Sequence, residues 1–215
     1  MARGRFITFE GGEGSGKSTQ SRLLQERLAN AGIKVIDTRE PGGSASAEEI
    51  RALLVSGRVE RWSPLSEALL HNAARHDHIV QTISPALARG TWVISDRFLD
   101  STLAYQGYGQ GVDLEILKDL GDLASGSTKP DLTFILDLSV VDGFERTKLR
   151  TDTTSRYEKM DRDMHERIRE GFLSIASAEK TRCRVIDASG DANSVHTTVW
   201  GMLLAQFDNY IGPTN

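Results

Sequence analysis

A chain of 215 residues with a net charge of −4 and one cysteine has the size of a single α/β domain with a real core. The slightly acidic balance excludes a general nucleic-acid or membrane binder, so any anion site must be assembled locally from arginines and backbone amides. Cys183 cannot form an internal disulfide and falls in a predicted strand at 182–187, which suits a buried, inert thiol in a reducing cytosol. The N-terminus enters a strand within a few residues, leaving no room for a signal peptide, and no apolar stretch approaches membrane-spanning length. A soluble, cytoplasmic protein is expected.

In chain order, the alternating run Phe6-Ile7-Thr8-Phe9 reads as a strand that leads into Gly11-x4-Gly16-Lys17-Ser18. A helical pattern follows, with Leu23, Leu24 and Leu28 on one side. Strand, glycine-rich loop and helix together are the context in which this spacing cradles phosphates. The glycines allow successive backbone N–H groups to point at a polyphosphate. Lys17 adds a point charge at the outer phosphates, and the Ser18 hydroxyl suits a magnesium shell. Gly11, Gly12, Glu13, Gly14, Ser15, Gly16, Lys17, Ser18 and Thr19 are therefore the candidate nucleotide-binding residues.

Further strand-like runs lie at 34–38, 92–95, 132–138 and 184–187, with helical patterns between them. Such alternation predicts a mostly parallel five-stranded sheet with helices on both faces, a three-layer α/β/α architecture. Ligands then gather beyond the strands' carboxyl ends, at Gly11 onward, Arg39-Glu40-Pro41, Asp96-Arg97 and Asp137. Ser63-Pro64 reads as an N-cap followed by proline at the first helical position. Leu65, Leu69, Ala73, Ile79, Ile83 and Leu87 then suggest the buried face of one helix, which Pro85 should kink or end early. Met160, Met164, Ile168, Phe172 and Ile175 mark a second long helix. Between these, residues 143–157 are polar, with a Thr-Asp-Thr-Thr-Ser core that fits a mobile loop. Residues 187–193 read as a loop after the last strand. No composition break suggests a second domain, so 1–215 reads as one unit.

A phosphate loop alone does not separate GTPases, motors, transporters and kinases. No Asn-Lys-x-Asp guanine-reading element is present. Arginines at 39, 51, 75, 97, 146, 150 and 156 suit bidentate binding of two phosphorylated substrates, although any one of them could equally be a solvated surface residue. No nucleophilic serine, cysteine or histidine constellation is evident, and a phosphate acceptor needs none. Bringing two polyanions together and neutralising the moving phosphoryl group would suffice.

Over nearly its whole length the chain resembles the bacterial thymidylate kinases. The resemblance is carried by Phe9-Glu10-Gly11-Gly12-Glu13-Gly14-Ser15-Gly16-Lys17-Ser18-Thr19, Arg39-Glu40-Pro41-Gly42-Gly43 and Ala73-Ala74-Arg75. It continues through Ser95-Asp96-Arg97-Phe98, Ser101-Thr102-x-Ala104-Tyr105-Gln106-Gly107, Lys129-Pro130-Asp131-Leu132-Thr133 and Arg156-x-Glu158. It implies a P-loop NTPase-like fold, transfer of the ATP γ-phosphoryl group to dTMP with Mg2+, and a homodimer. By the same resemblance, Lys17 and the loop amides hold ATP, while Ser18 and Asp96 serve the metal. Arg97 and Arg51 grip the acceptor phosphate, Arg75 bonds the thymine edge, and Tyr105 crowds the sugar's 2′ position with Gln106 in the same pocket. Glu13 corresponds to the acid that binds the sugar 3′-hydroxyl, and Arg39, Pro41 and Ser101 fall in the segments that line the acceptor. Residues 143–157 match the family's lid, and with no arginine in the phosphate loop the catalytic arginine is expected there, Arg150 first and Arg146 second.

Two positions depart from the pattern. His71 stands where the family usually has a phenylalanine stacked on thymine, one helical turn from Arg75. An imidazole stacks with less area, and its charge is expected to follow pH. The histidines at 71, 76 and 78 do not share one helix face, which argues against a metal site there. Ser155 stands where an aspartate commonly precedes Arg156-x-Glu158. The rival readings are another nucleoside monophosphate or deoxynucleoside kinase, and a non-enzymatic nucleotide switch, which would need no second anion pocket.

Overall fold

The computed structural model describes residues 3–148, 156–157 and 160–208. Among these, β1 (Phe6–Glu10), β2 (Val35–Arg39), β3 (Trp92–Asp96), β4 (Leu132–Asp137) and β5 (Cys183–Asp187) form one parallel sheet in the order β2-β3-β1-β4-β5. Strand β1 lies at the centre, pairing Phe6 with Val93 on one side and Ile7 with Leu132 on the other. Its apolar side chains alternate between the two faces. Ile7 and Phe9 join Leu24 and Leu28 of α1 (Lys17–Asn30) and Val199, Trp200 and Leu203 of α9 (Ala192–Phe207). Phe6 points the other way, packing with Val93, Phe98 and Ile83. Both faces are therefore covered, as a parallel sheet requires.

The helix from Ser63-Pro64 begins as its sequence predicts: Ser63 caps α3 (Pro64–His78) by accepting the Ser66 N–H, with Pro64 in the first turn. Its buried face does not follow the expected leucine spacing. Leu65 and Leu69 are exposed, whereas Glu67, Ala68, Asn72, Arg75 and His78 face inward. The reason is that this side of the helix faces a buried polar network, in which Arg75 meets Glu40 and Glu67 meets Arg156 and Gln106, and not the hydrophobic core. Pro85 lies in the first turn of the short α4 (Ser84–Ala88), which closes the helical run. A π-helical stretch, Ile79–Ile83, precedes α4, and the Ser84 N–H donates to the Ile79 carbonyl five residues back. Widening the turn accommodates a ring that would clash with the carbonyl four residues earlier.

On the same side, α2 (Ala45–Val55) flanks α3. The short α5 (Leu99–Thr102) runs into a second π-helical stretch, Leu103–Gly109, followed by α6 (Leu114–Ser125). Helix α8 (Arg162–Ala178) buries Met164, Ile168, Phe172 and Ile175 against Tyr105 and Ile135, with Met160 in the same cluster. The expected loop at 143–157 is helical at its start: α7 (Val140–Lys148) covers residues up to 148. The Thr-Asp-Thr-Thr-Ser core lies outside the described residues. A close backbone contact explains why α7 is held there. A Cβ on Gly143 would sit 2.5 Å from the Glu13 carbonyl oxygen, and one on Gly14 would sit 2.2 Å from the Gly143 carbonyl oxygen. Within the loop expected at 187–193, α9 already begins at Ala192, capped by Asp191. No described helix is long and apolar enough to cross a membrane.

Candidate active site

All five strands end in a charged residue at the same edge of the sheet: Glu10, Arg39, Asp96, Asp137 and Asp187. Beyond β1 the loop turns at Gly11, where φ is 137°, and enters α1 at Gly16, where φ is 91°. Inside it Lys17 Nζ donates to the carbonyls of Gly11 (3.1 Å) and Gly12 (2.7 Å) and to Ser15 Oγ (3.3 Å). Burial, aided by Arg97, lowers the Lys17 pKa to about 8. Ser18 Oγ donates to Asp96 Oδ2 at 2.5 Å, which brings two hard oxygen donors together at the end of β3.

One cavity joins this loop to the arginines. Its lining includes Lys17, Ser18 and Asp96, Glu13 and Gly14, and Arg39, Pro41, Arg51, His71, Arg75, Arg97, Ser101, Tyr105 and Gln106. Each acceptor-side residue expected from the sequence thus lies on a single cavity. Arg97 has a left-handed backbone, φ 72°, a conformation that costs a non-glycine residue about 1–3 kcal/mol and concentrates at functional sites. Its Nη atoms bond the Gly11 carbonyl, Ser101 Oγ, Glu13 Oε1 and Tyr105 Oη at 2.9–3.1 Å. The Tyr105 hydroxyl donates to the same Glu13 oxygen at 2.7 Å, closing a triangle. Burial pushes the Glu13 carboxyl up, but Arg97, Lys17 and the Tyr105 hydroxyl outweigh it and bring the carboxyl to about 2. An acid inside an anion loop is thereby kept ionised.

Arg75 is almost fully buried. It donates from Nε to Glu40 (2.8 Å), from Nη1 to Asn72 (3.0 Å), and from Nη2 to the Phe98 carbonyl (3.1 Å) and Thr102 (3.0 Å). Arg39 reaches the cavity while paired with Glu48, and Arg51 Nη1 donates to the Pro41 carbonyl at 2.7 Å. His71 Nε2 lies 2.9 Å from the Tyr157 hydroxyl. Burial first, and then Arg75, Arg97 and Arg51, hold its pKa down to about 3. The expected pH-dependent charge is therefore absent, and the imidazole is neutral throughout the working range.

Sequence reasoning missed several residues of this site. Glu10 accepts the backbone N–H groups of Phe98 (2.8 Å) and Ser101 (3.3 Å) and the Ser101 hydroxyl (2.6 Å), fastening the turn that carries Arg97. Burial and the neighbouring Asp100 raise its pKa to about 8. Glu40 bridges Arg75 and His78, and Tyr157 lines the cavity. Glu10 and Glu40 sit inside recognisable motifs, but nothing in their spacing distinguishes a brace from a ligand. Arg146 does not line the cavity. It donates to the carbonyls of Ala188 (2.9 Å), Ser189 (2.9 Å) and Gly190 (3.4 Å), beyond β5. Arg150, Ser155 and Glu158 lie outside the described residues.

A parallel sheet in this order, with a glycine-rich phosphate loop after its central strand and an arginine-lined cavity along the same edge, defines a phosphotransferase of the P-loop class. A model of the thymidylate kinase family matches residues 9–199. A thymidylate kinase of Caulobacter vibrioides is 50% identical over 199 residues, covering 93% of this chain and 95% of the relative. One from Magnetococcus marinus is 47% identical, covering 95% and 98%. The crystal structure of thymidylate kinase from Ehrlichia chaffeensis superposes with a TM-score of 0.76 at 40% identity, over 94% of this chain and 99% of that one. The chain belongs to the thymidylate kinase family, and its activity is the phosphorylation of thymidylate.

Proposed function

We propose that the enzyme moves the γ-phosphoryl group of ATP to the 5′-phosphate of dTMP, giving ADP and dTDP, by the residue roles that follow. The observation that carries this reading is the shared cavity, which Lys17 and Ser18 line together with Arg51 and Arg97. Lys17 and the amides of residues 11–19 hold the donor phosphates. Arg97 and Arg51 hold the acceptor phosphate, with Arg39, Pro41 and Ser101 completing its walls. Glu13 takes the 3′-hydroxyl, Tyr105 fills the space of a 2′-hydroxyl, and Arg75, Gln106 and His71 surround the base. Acceptor and donor are both anionic, so no general base is required. The rate gain comes from alignment and charge neutralisation.

A magnesium ion would be held by Ser18 and Asp96, whose two oxygens form the hard donor set that this ion accepts alongside phosphates. It would supply charge neutralisation on the donor phosphates. The chain acts as one unit, 1–215, in the cytoplasm, with a lid at about 143–157. The phosphate loop carries no arginine, which supports the variant whose catalytic arginine comes from the lid. Arg150 takes that role, and the carbonyl contacts of Arg146 favour it as the second choice. A homodimer is also proposed. Leu53 of α2, Leu65 and Leu69 of α3, and Ile116 and Leu123 of α6 are exposed on neighbouring helices, which supports a covered face there.

A coupled ATP-to-ADP assay across dTMP, dUMP, dCMP, AMP and thymidine tests the reading. Highest kcat/KM for dTMP is expected, and a strong preference for thymidine over dTMP would defeat it.

A further inference from the structure

Behind the base end of the cavity lies a buried polar cluster in which Arg156 is the hub. Its guanidinium is fully buried, donating to the carbonyls of Leu54 (3.2 Å) and Val59 (2.8 Å), to Glu67 Oε2, and to the Tyr157 hydroxyl (3.3 Å). Two branches lead from it to the cavity. Glu67 Oε1 accepts from Gln106 Nε2 at 2.7 Å and from Gln110 Nε2 at 3.2 Å, and the Tyr157 hydroxyl meets His71 Nε2 at 2.9 Å. Glu67 does not line the cavity, whereas Gln106 and His71 do.

Proton counting then fixes the sense of both lining residues. A carboxylate paired with a guanidinium only accepts, so Gln106 must turn its NH2 to Glu67 and its carbonyl oxygen toward the cavity. Arg156 only donates, so the Tyr157 oxygen accepts from it and the phenolic O–H goes to His71 Nε2, leaving the ring proton on Nδ1. Arg75 has five N–H groups and four protein contacts, which leaves one Nη1–H for a ligand. The cavity thus offers a carbonyl acceptor at Gln106 and an N–H donor at Arg75. With Gln106 facing ring nitrogen 3 and Arg75 facing the substituent at position 4, an imide edge, N–H beside C=O, matches both. An aminopyrimidine edge, a bare ring nitrogen beside NH2, opposes both.

We propose that Glu67, locked by Arg156, is a positioning residue that sets the pyrimidine specificity of this enzyme by fixing the Gln106 amide carbonyl-outward. The proposal rests on the reading that Gln106 faces ring nitrogen 3 of the base and Arg75 its position 4. Uracil and thymine share the selected edge, so the pair dUMP and dCMP isolates the effect.

Steady-state kinetics of the full chain at saturating ATP test it. In Glu67→Gln the amide oxygen must still face Arg156, which only donates, so its NH2 turns to Gln106 and favours the flipped Gln106 amide, nitrogen toward the cavity. The ratio of kcat/KM for dUMP over dCMP should fall about tenfold or more, through KM, with the ATP KM unchanged. Because that variant leaves Arg156 without a counter-charge, Glu67→Gln with Arg156→Met, which removes both charges, should show the same fall. On a Gln106→Leu background, Glu67→Gln should add nothing to it. A ratio preserved in either folded variant, or a further full-sized loss on that background, overturns the proposal. If neither variant folds, Gln106→Leu decides, since it leaves the ion pair intact; an unaltered ratio there overturns it. An unsubstituted enzyme that accepts dCMP as readily as dTMP would instead sink the base-edge assignment itself.

Discussion

The Lys17 ammonium is the group most exposed to a change of pH. Its pKa is lowered to about 8 by burial and by Arg97. A bound polyphosphate favours the charged form, so the pKa rises on binding and affinity is full below pH 8. Above pH 8 the free enzyme loses the proton and must regain it to bind, so affinity falls as pH rises. Calorimetry with a non-hydrolysable ATP analogue should show proton uptake at pH 8.5 and little at pH 6.5. Lys17→Ala should lose activity by orders of magnitude, on the ~10³- to 10⁵-fold scale of a charge-stabilising residue in phosphoryl transfer. His71 behaves in the opposite manner. With its pKa held to about 3, replacing His71 by a non-titrating residue should leave unchanged the pH dependence of the dTMP KM at about pH 6, where the phosphate of dTMP itself titrates. A phenyl ring offers more stacking area, so His71→Phe should lower the dTMP KM; an unchanged or raised value would remove stacking from the role of this position. Glu10 supplies a stability test. Its folded pKa, about 8, stands above the ordinary 4.5, so its contribution is present below pH 4.5 and disappears as pH rises through 8. Glu10→Gln should flatten the thermal stability profile between those limits. At this scale much of the site was legible, because phosphate chemistry demands particular residues at fixed spacing. Glu10, Glu40, Glu67 and Tyr157 escaped, since their work is to hold other side chains and leaves no spacing signature.

Helix α3 shows why elements are read less securely than motifs. Leu65 and Leu69 have the spacing of a buried face, yet both are exposed while Glu67, Asn72 and Arg75 point inward. Apolar periodicity reports burial of any origin, including against a surface outside the chain. The N-cap at Ser63 was readable because it depends only on local backbone donors. Helix α7 is seated on the phosphate loop by a glycine-to-glycine approach that permits no Cβ. Gly143→Ala should therefore destabilise the protein by about 1–3 kcal/mol, read from chemical denaturation, and should raise the ATP KM. A substitution with no effect on that KM would show that α7 and the loop move independently.

For the molecule as a whole, the sheet was the most legible feature. The three central strands, β1, β3 and β4, are buried on both faces and carry near-continuous apolar runs. The edge strands β2 and β5 are partly exposed and were readable as shorter mixed runs. Strand order was not readable, because parallel partners meet through distant segments. The exposed leucines on α2, α3 and α6 predict self-association. Sedimentation should give twice the monomer mass, and Leu69→Lys should shift it toward the monomer. A monomeric unsubstituted enzyme at micromolar concentration would refute the dimer.

The two π-helical stretches, Ile79–Ile83 and Leu103–Gly109, bear on how this chain tolerates length changes. Each holds one residue more than a regular turn would, and the second contains both Tyr105 and Gln106. Deleting a single residue there would restore a regular turn, and the side chains displaced would be those inside the stretch itself. Gln106 would lose its contact with Glu67, so helical regularity would be gained at the expense of the polar network behind the cavity.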